Sequence, residues 1–224
     1  MPSPSAISAQ ARAEAKAQLL LRLRRRGDVD LPLLRAIEAA PREAFVHAEY
    51  ADLALRDVAI PLPCGQTMEA PTELARMISA LAPSQNSRIL EIGTGSGYSA
   101  KVLALLSREV VSVECFERLA QEAQERLERF RATNVSVVWA DGFEIGPSLG
   151  LFDRILIHGG IDGLPAAFAG ALADDGVLVA PRGHESEGGC VLERCQRAAD
   201  GSVVAKTLGP WRGPRLLHGS FGRL

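Results

Sequence analysis

The apolar residues change period near residue 71. Before that point, "AISAQARAEAKAQLLLRLRRRG" is rich in Ala, Leu, Arg and Gln with no internal Gly or Pro, and predicts a helix over about residues 6–26 that Gly27 stops. Arg24, Arg25 and Arg26 sit in its last turn, where cations complement the helix dipole. "LPLLRAIEAA" predicts a second helix, opened at Pro32 and closed before Pro41, and "PREAFV" leads into a turn-rich stretch. From residue 71 onward, amphipathic helices alternate with short apolar strands. "PTELARMISAL", "YSAKVLALLS", "RLAQEAQERLERF" and "LPAAFAGAL" read as helices, and "SRILEIG", "EVVSVE", "VSVVWAD", "FDRILIHGG" and "GVLVAPRG" as strands. Strands apolar on both sides need cover on both faces, so the pattern predicts a doubly wound α/β domain with a mostly parallel sheet. "GGCVLERCQRA" and "GSVVAKTL", joined across the turn signal "ADG", add an antiparallel C-terminal hairpin and bring the strand count to seven.

Composition narrows the class without changing the picture. The 224 residues fit one domain, with a helical N-terminal region over residues 1–70 and the α/β core over 71–224. With 25 basic and 27 acidic side chains the chain is no polyanion binder, and no nucleic-acid partner is expected. Cys64, Cys115, Cys190 and Cys195 form no CxxC pair and no zinc-type spacing, so they read as buried reduced thiols and no metal is expected. No run of about 18 apolar residues occurs, which predicts a soluble cytoplasmic protein without a membrane partner. The sequence assigns no oligomeric state.

The chemistry gathers at strand ends. In "ILEIGTGSGY", Gly93, Gly95 and Gly97 with Thr94 lie between an apolar strand and a helix, where backbone can approach a ligand. A dinucleotide loop counted from Gly93 needs a small residue at 98, and Tyr98 stands there. An acidic residue followed by alternate glycines, from Glu91 onward, resembles S-adenosylmethionine-dependent methyltransferases of the Rossmann-like class. Glu114 ends the second strand of the core, where a carboxylate can accept both hydrogens of a ribose diol. Asp141, followed by Gly142, ends the third and resembles the residue that such enzymes aim at the adenine amino group. Either acid could instead cap a solvated strand end, and Glu91 could order the loop by accepting backbone amides rather than touch the ligand.

A second stretch is more specific. "PREAFVHAEYADLALRDVAIPLPCGQTMEAPTELARMISAL", followed by "RILEIGTGSGYSAKVLALL", resembles the protein-L-isoaspartate O-methyltransferase family over roughly residues 30–185. That family places a Pro-Arg-Glu-x-Phe-Val segment and a Gly-Gln-Thr loop before the cofactor motif. The resemblance implies a Rossmann-like fold, S-adenosylmethionine as cofactor, and methyl esterification of the α-carboxylate of isoaspartyl residues in damaged proteins or peptides. It makes residues 1–70 the substrate-loop region and Thr67 part of the acceptor site.

Three places depart from the family pattern. Glu69 stands where a serine is usual, and "IHGGID" replaces a small-residue "TAAA" stretch, which puts His158 at the crevice edge. The C-terminal "LLHGSFGRL" also lacks the usual "VPL". A fixed anion about 4 Å from a substrate carboxylate costs on the order of 4 kcal/mol at an effective dielectric near 20. Glu69 must therefore turn away, be protonated, or meet a cationic or hydroxyl-bearing group of another acceptor. His158 could bind an anion, act as a base, or simply pack. The alternative reading is a divergent methyltransferase of another peptide or small molecule, with Glu69 or His158 as general base. A binding module without turnover is the reading from a different class.

Overall fold

In the computed structural model, which describes residues 9–144, 149–183, 189–198 and 201–222, the seven expected strands form one sheet. They are β3 (Arg88–Ile92), β4 (Glu109–Glu114), β5 (Val135–Trp139), β6 (Phe152–Ile157), β7 (Leu172–Arg182), β8 (Val191–Arg197) and β9 (Val203–Pro210), in the order β5-β4-β3-β6-β7-β8-β9. The first five are parallel, and β8 and β9 are antiparallel additions. Of the turn expected at "ADG", Ala199 and Asp200 lie outside the described residues, but Ala198 N–H donates to Ser202 O at 2.8 Å across it.

Burial explains the continuous apolar runs. Ile89, Val110, Leu156, Val177 and Val179 face one core, and Leu90, Ile92, Val111, Val113, Ile155, Ile157 and Leu178 the other, with alternate residues on opposite faces. Helices α1 (Ala9–Arg25), α2 (Leu31–Ala39), α3 (Pro71–Leu81), α4 (Tyr98–Ala104) and α5 (Glu117–Arg129) supply the first core, and α6 (Ala166–Ala171) packs into the second. The N-terminal helices therefore share a core with the α/β unit rather than forming one of their own: Leu19, Leu23, Leu33 and Phe45 lie in the same cluster as Met77 and Tyr98. The α1 helix stops at Gly27 as expected, with φ of +77° there, while residues 6–8 of its expected span lie outside the described residues. The α2 helix starts where the side chain of Asp30 accepts from Leu33 N–H at 2.9 Å.

Two features were not expected. Strands β1 (Ile60–Pro61) and β2 (Thr67–Met68) pair in a two-rung antiparallel ladder and fold the Gly-Gln-Thr segment into a hairpin. The chain after β9 crosses the C-terminal edge of the sheet: Gly160 N–H donates to Pro214 O at 3.0 Å, and Phe221 exchanges backbone bonds with Cys115 and Glu117 at 2.6 and 2.9 Å. Of the four cysteines, none of which forms a disulfide, only Cys195 is fully buried; the other three are half-buried.

Candidate functional site

Because β3, β4 and β5 are laid down on one side and β6 starts on the other, the connections after β3 and β6 diverge and leave a crevice between them. The loop after β3 forms its floor. Gly93 has φ of +94°, and a Cβ there would lie 3.2 Å from the Cβ of His158, so both conformation and space demand glycine. Thr94 and Gly95 line the same floor, and Gly97 turns the chain into α4. Tyr98, the residue that broke the dinucleotide pattern, is buried against Phe45 with ring centroids 5.8 Å apart.

Glu114 lies at the tip of β4 on the crevice wall, 4% exposed. Burial raises its pKa, and amide donors oppose that: Gly95 N–H reaches Oε2 at 2.8 Å and Phe116 N–H reaches Oε1 at 3.1 Å. Its carboxylate thus holds the glycine loop and keeps further lone pairs toward the crevice. Asp141 and Gly142 sit one strand further on. Asp141 accepts from Phe143 N–H at 2.8 Å and from Gly219 N–H of the C-terminal segment at 2.6 Å. A Cβ on Gly142 would lie 2.5 Å from Ile92 Cγ2, so a larger residue would push this corner off the sheet. The segment roofs the corner, with His218 stacked on Phe143 at 3.7 Å and Phe221 on Phe116 at 4.9 Å.

Opposite the glycine loop, the β1–β2 hairpin brings Leu62, Thr67 and Glu69 to the crevice. Here two of the departures noted in the sequence meet. Glu69 Oε1 lies 2.8 Å from His158 Nδ1, and His158 Nε2 lies 3.1 Å from Glu91 Oε1. Glu69 therefore neither points at an acceptor's cation nor turns from the crevice; it pairs with a cation of its own chain. Burial works to lower the pKa of His158, but the two carboxylates outweigh it and raise it to about 10. The ring is an imidazolium with both nitrogens committed, which leaves no lone pair for a general base. Glu91 is completely buried and touches neither the crevice nor a loop amide. Its Oε2 accepts the Ser112 hydroxyl at 2.5 Å; Ser112 has one hydrogen to give, so Thr94 donates to it at 2.6 Å. A relay Glu69–His158–Glu91–Ser112–Thr94 thus ties the hairpin to the glycine loop.

Sequence reasoning missed Ser112 and Arg42. Ser112 left a signal, as the one hydroxyl inside "EVVSVE". Arg42, in the short turn Arg42–Phe45, is 2% exposed and donates to three carbonyls, of Ala54 at 2.7 Å, Val58 at 3.2 Å and Glu69 at 2.9 Å. No group of three or more His, Cys, Asp or Glu among the described residues is placed to hold a metal, and no described helix is long and apolar enough to cross a membrane.

Comparison with known proteins gives one answer. The family profile of protein-L-isoaspartate(D-aspartate) O-methyltransferase matches residues 14–212. Protein-L-isoaspartate O-methyltransferase 2 of Rhodopseudomonas palustris (strain HaA2) is 46% identical over 177 residues, covering 79% of this chain and 81% of that one. The protein-L-isoaspartate O-methyltransferase of Erwinia tasmaniensis is 39% identical over 196 residues, 88% and 92% of the two chains. Among solved structures, a Plasmodium falciparum chain assigned as a protein-L-isoaspartate O-methyltransferase, in complex with S-adenosyl-L-homocysteine, superposes with a TM-score of 0.78 at 22% identity over 90% of this chain and 98% of that one. A second protein-L-isoaspartate O-methyltransferase structure gives 0.83 at 23% identity over 92% and 67%. At those identities the structural matches speak for the fold.

Proposed function

The chain belongs to the protein-L-isoaspartate(D-aspartate) O-methyltransferase family, and on that premise we propose how its crevice carries out the family reaction, S-adenosylmethionine-dependent esterification of isoaspartyl carboxylates in protein repair. The observation that carries the reading is the meeting, in one crevice, of the glycine loop, the Glu114 carboxylate and the Gly-Gln-Thr hairpin.

The crevice fits the cofactor. The tight floor at Gly93 admits a ligand against bare backbone. Glu114 accepts the ribose hydroxyls with the lone pairs that Gly95 and Phe116 leave over. The adenine is assigned to Asp141 and Gly142 at the next strand tip, which lie beside rather than on the crevice lining and where Asp141 already accepts from Phe143 and Gly219 N–H. When bound, S-adenosylmethionine supplies a methyl group on a sulfonium, a strong electrophile. The protein's task is positioning, because a substrate carboxylate is already ionised near neutral pH and needs no base. Thr67, exposed at the mouth, offers a neutral hydroxyl donor to that carboxylate. His158, shared between Glu69 and Glu91, offsets part of the charge of Glu69, so the repulsion expected for a lone anion at this position is reduced rather than abolished.

The direct test is transfer of a labelled methyl group. An isoaspartyl peptide is expected to be labelled and its aspartyl isomer is not; absence of transfer while S-adenosylhomocysteine still binds would overturn the reading. Glu114→Ala is expected to weaken S-adenosylhomocysteine binding by about 100-fold or more in calorimetry, the loss of two charge-assisted hydrogen bonds. An unchanged Kd would place the ribose elsewhere.

A further inference from the structure

The acceptor wall carries more negative charge than a carboxylate substrate alone would favour. The charged groups on the described crevice wall and their direct partners are four carboxylates, Glu69, Glu91, Glu114 and Asp162, against three cations, His158, Arg215 and the buried Arg42. All three cations are already engaged, Arg42 by three backbone carbonyls. His158 is shared between Glu69 and Glu91, and Arg215 is held by Asp162 and by the carbonyl of Gly183 at 2.9 Å. One imidazolium cannot neutralise two carboxylates. Glu91 is sealed from solvent, so the unbalanced charge of the relay is expressed at Glu69, whose side chain is 16% exposed.

The position of that charge is fixed. Oε1 of Glu69 is bound to His158, and the backbone carbonyl of Glu69 is bound to Arg42 at 2.9 Å, so the residue is anchored at both ends. Oε2 has no hydrogen-bond partner among the described residues and belongs to a side chain that lines the crevice beside Thr67. The pKa of the neighbouring Glu73 is raised by burial, which its ion pair with Arg76 opposes and the charge of Glu69 reinforces.

We infer that Glu69 is a specificity-determining residue that selects isoaspartyl sites flanked by lysine or arginine and disfavours sites flanked by acidic residues. This deepens the family reaction proposed above and rests on it. The acceptor carboxylate itself is common to every substrate, so it cannot discriminate among them. The residues beside it in the peptide differ, and a cation or an anion held several ångströms from Glu69 changes the electrostatic energy of the bound peptide in opposite directions.

The test uses synthetic isoaspartyl peptides identical except for both residues flanking the isoaspartate, which are Lys, Ala or Glu. With the wild-type protein in about 20 mM salt, kcat/KM is expected to favour the Lys peptide over the Glu peptide by at least about tenfold, and the ratio should shrink in about 0.5 M salt. In Glu69→Gln, whose amide oxygen can still accept from His158, the low-salt ratio should fall to about two- to threefold, the remainder belonging to Glu114. S-adenosylhomocysteine binding reports that the variant is folded. A wild-type ratio near one, or a ratio that survives in Glu69→Gln, overturns the inference while leaving the family reaction intact. Failure to methylate any isoaspartyl peptide overturns the proposed function and this inference with it.

Discussion

Replacing His158 by alanine is expected to lower the melting temperature by about 6–20 °C, the equivalent of roughly 3–5 kcal/mol in a chain of this size. The reason lies behind the crevice. Glu91 is completely buried on the central strand, and its carboxylate has two partners, His158 and the Ser112 hydroxyl. Removing the imidazolium leaves a buried anion with a single neutral donor, which costs far more than an exposed pair returns. Glu91→Gln in the same chain should recover a large part of the loss, because an amide at that position is not a charge that needs a counterion. The alkaline side gives a second signature. The folded pKa of about 10 lies above the usual 6.5, so the contribution of the pair is whole below about pH 6.5, erodes as pH rises and is gone beyond about pH 10. Wild-type stability should therefore decline between those limits, and His158→Ala should lose that part of the slope. A shift of less than about 2 °C, or an unchanged alkaline slope, would mean that the relay carries little charge.

The relay also marks where the sequence stops being legible. Strands β3, β4, β6 and β7 were readable because each carries an apolar run that the sheet buries, and β8 and β9, the latter largely exposed, because a turn signal joins them; the placement of the glycine loop, Glu114 and Asp141 at strand ends was readable because an open parallel sheet gathers such ends at one edge. Glu69 and His158 were each visible as departures, but their partnership was not. They are 89 positions apart, and what joins them is a hairpin held by two backbone rungs in a stretch with no hydrophobic period. The C-terminal segment escaped for the same reason. "LLHGSFG" has neither helical nor strand patterning; it is placed by isolated backbone bonds and two ring stacks against residues that the core sequence had already fixed. Such segments take their conformation from the surface they cover.

Arg42→Ala is expected to be the other severe substitution. The "PREAFV" stretch reads as a lead into turns, yet its arginine is nearly inaccessible and reaches carbonyls 12, 16 and 27 positions further along the chain. Those segments carry little regular structure, so their buried carbonyls have few other donors, and one guanidinium serves three of them through its fixed fork of N–H groups. Alanine leaves the three acceptors unmet and opens a cavity beneath Tyr98, at a cost of about 3–5 kcal/mol. Arg42→Lys separates stability from function. A compact ammonium can satisfy one or two of the carbonyls but cannot span all three, so the chain should fold with a loss of about 1–3 kcal/mol. The bond to the Glu69 carbonyl is the one that positions the acceptor hairpin over the glycine loop. Its loss should lower kcat/KM for an isoaspartyl peptide by about 10- to 100-fold, the usual consequence of a displacement near 1 Å at a reacting centre. S-adenosylhomocysteine binding should change by less than about threefold, since Glu114 and the glycine loop do not depend on that carbonyl. Equal losses in peptide turnover and cofactor binding would mean that Arg42 supports the crevice as a whole rather than the hairpin that receives the substrate.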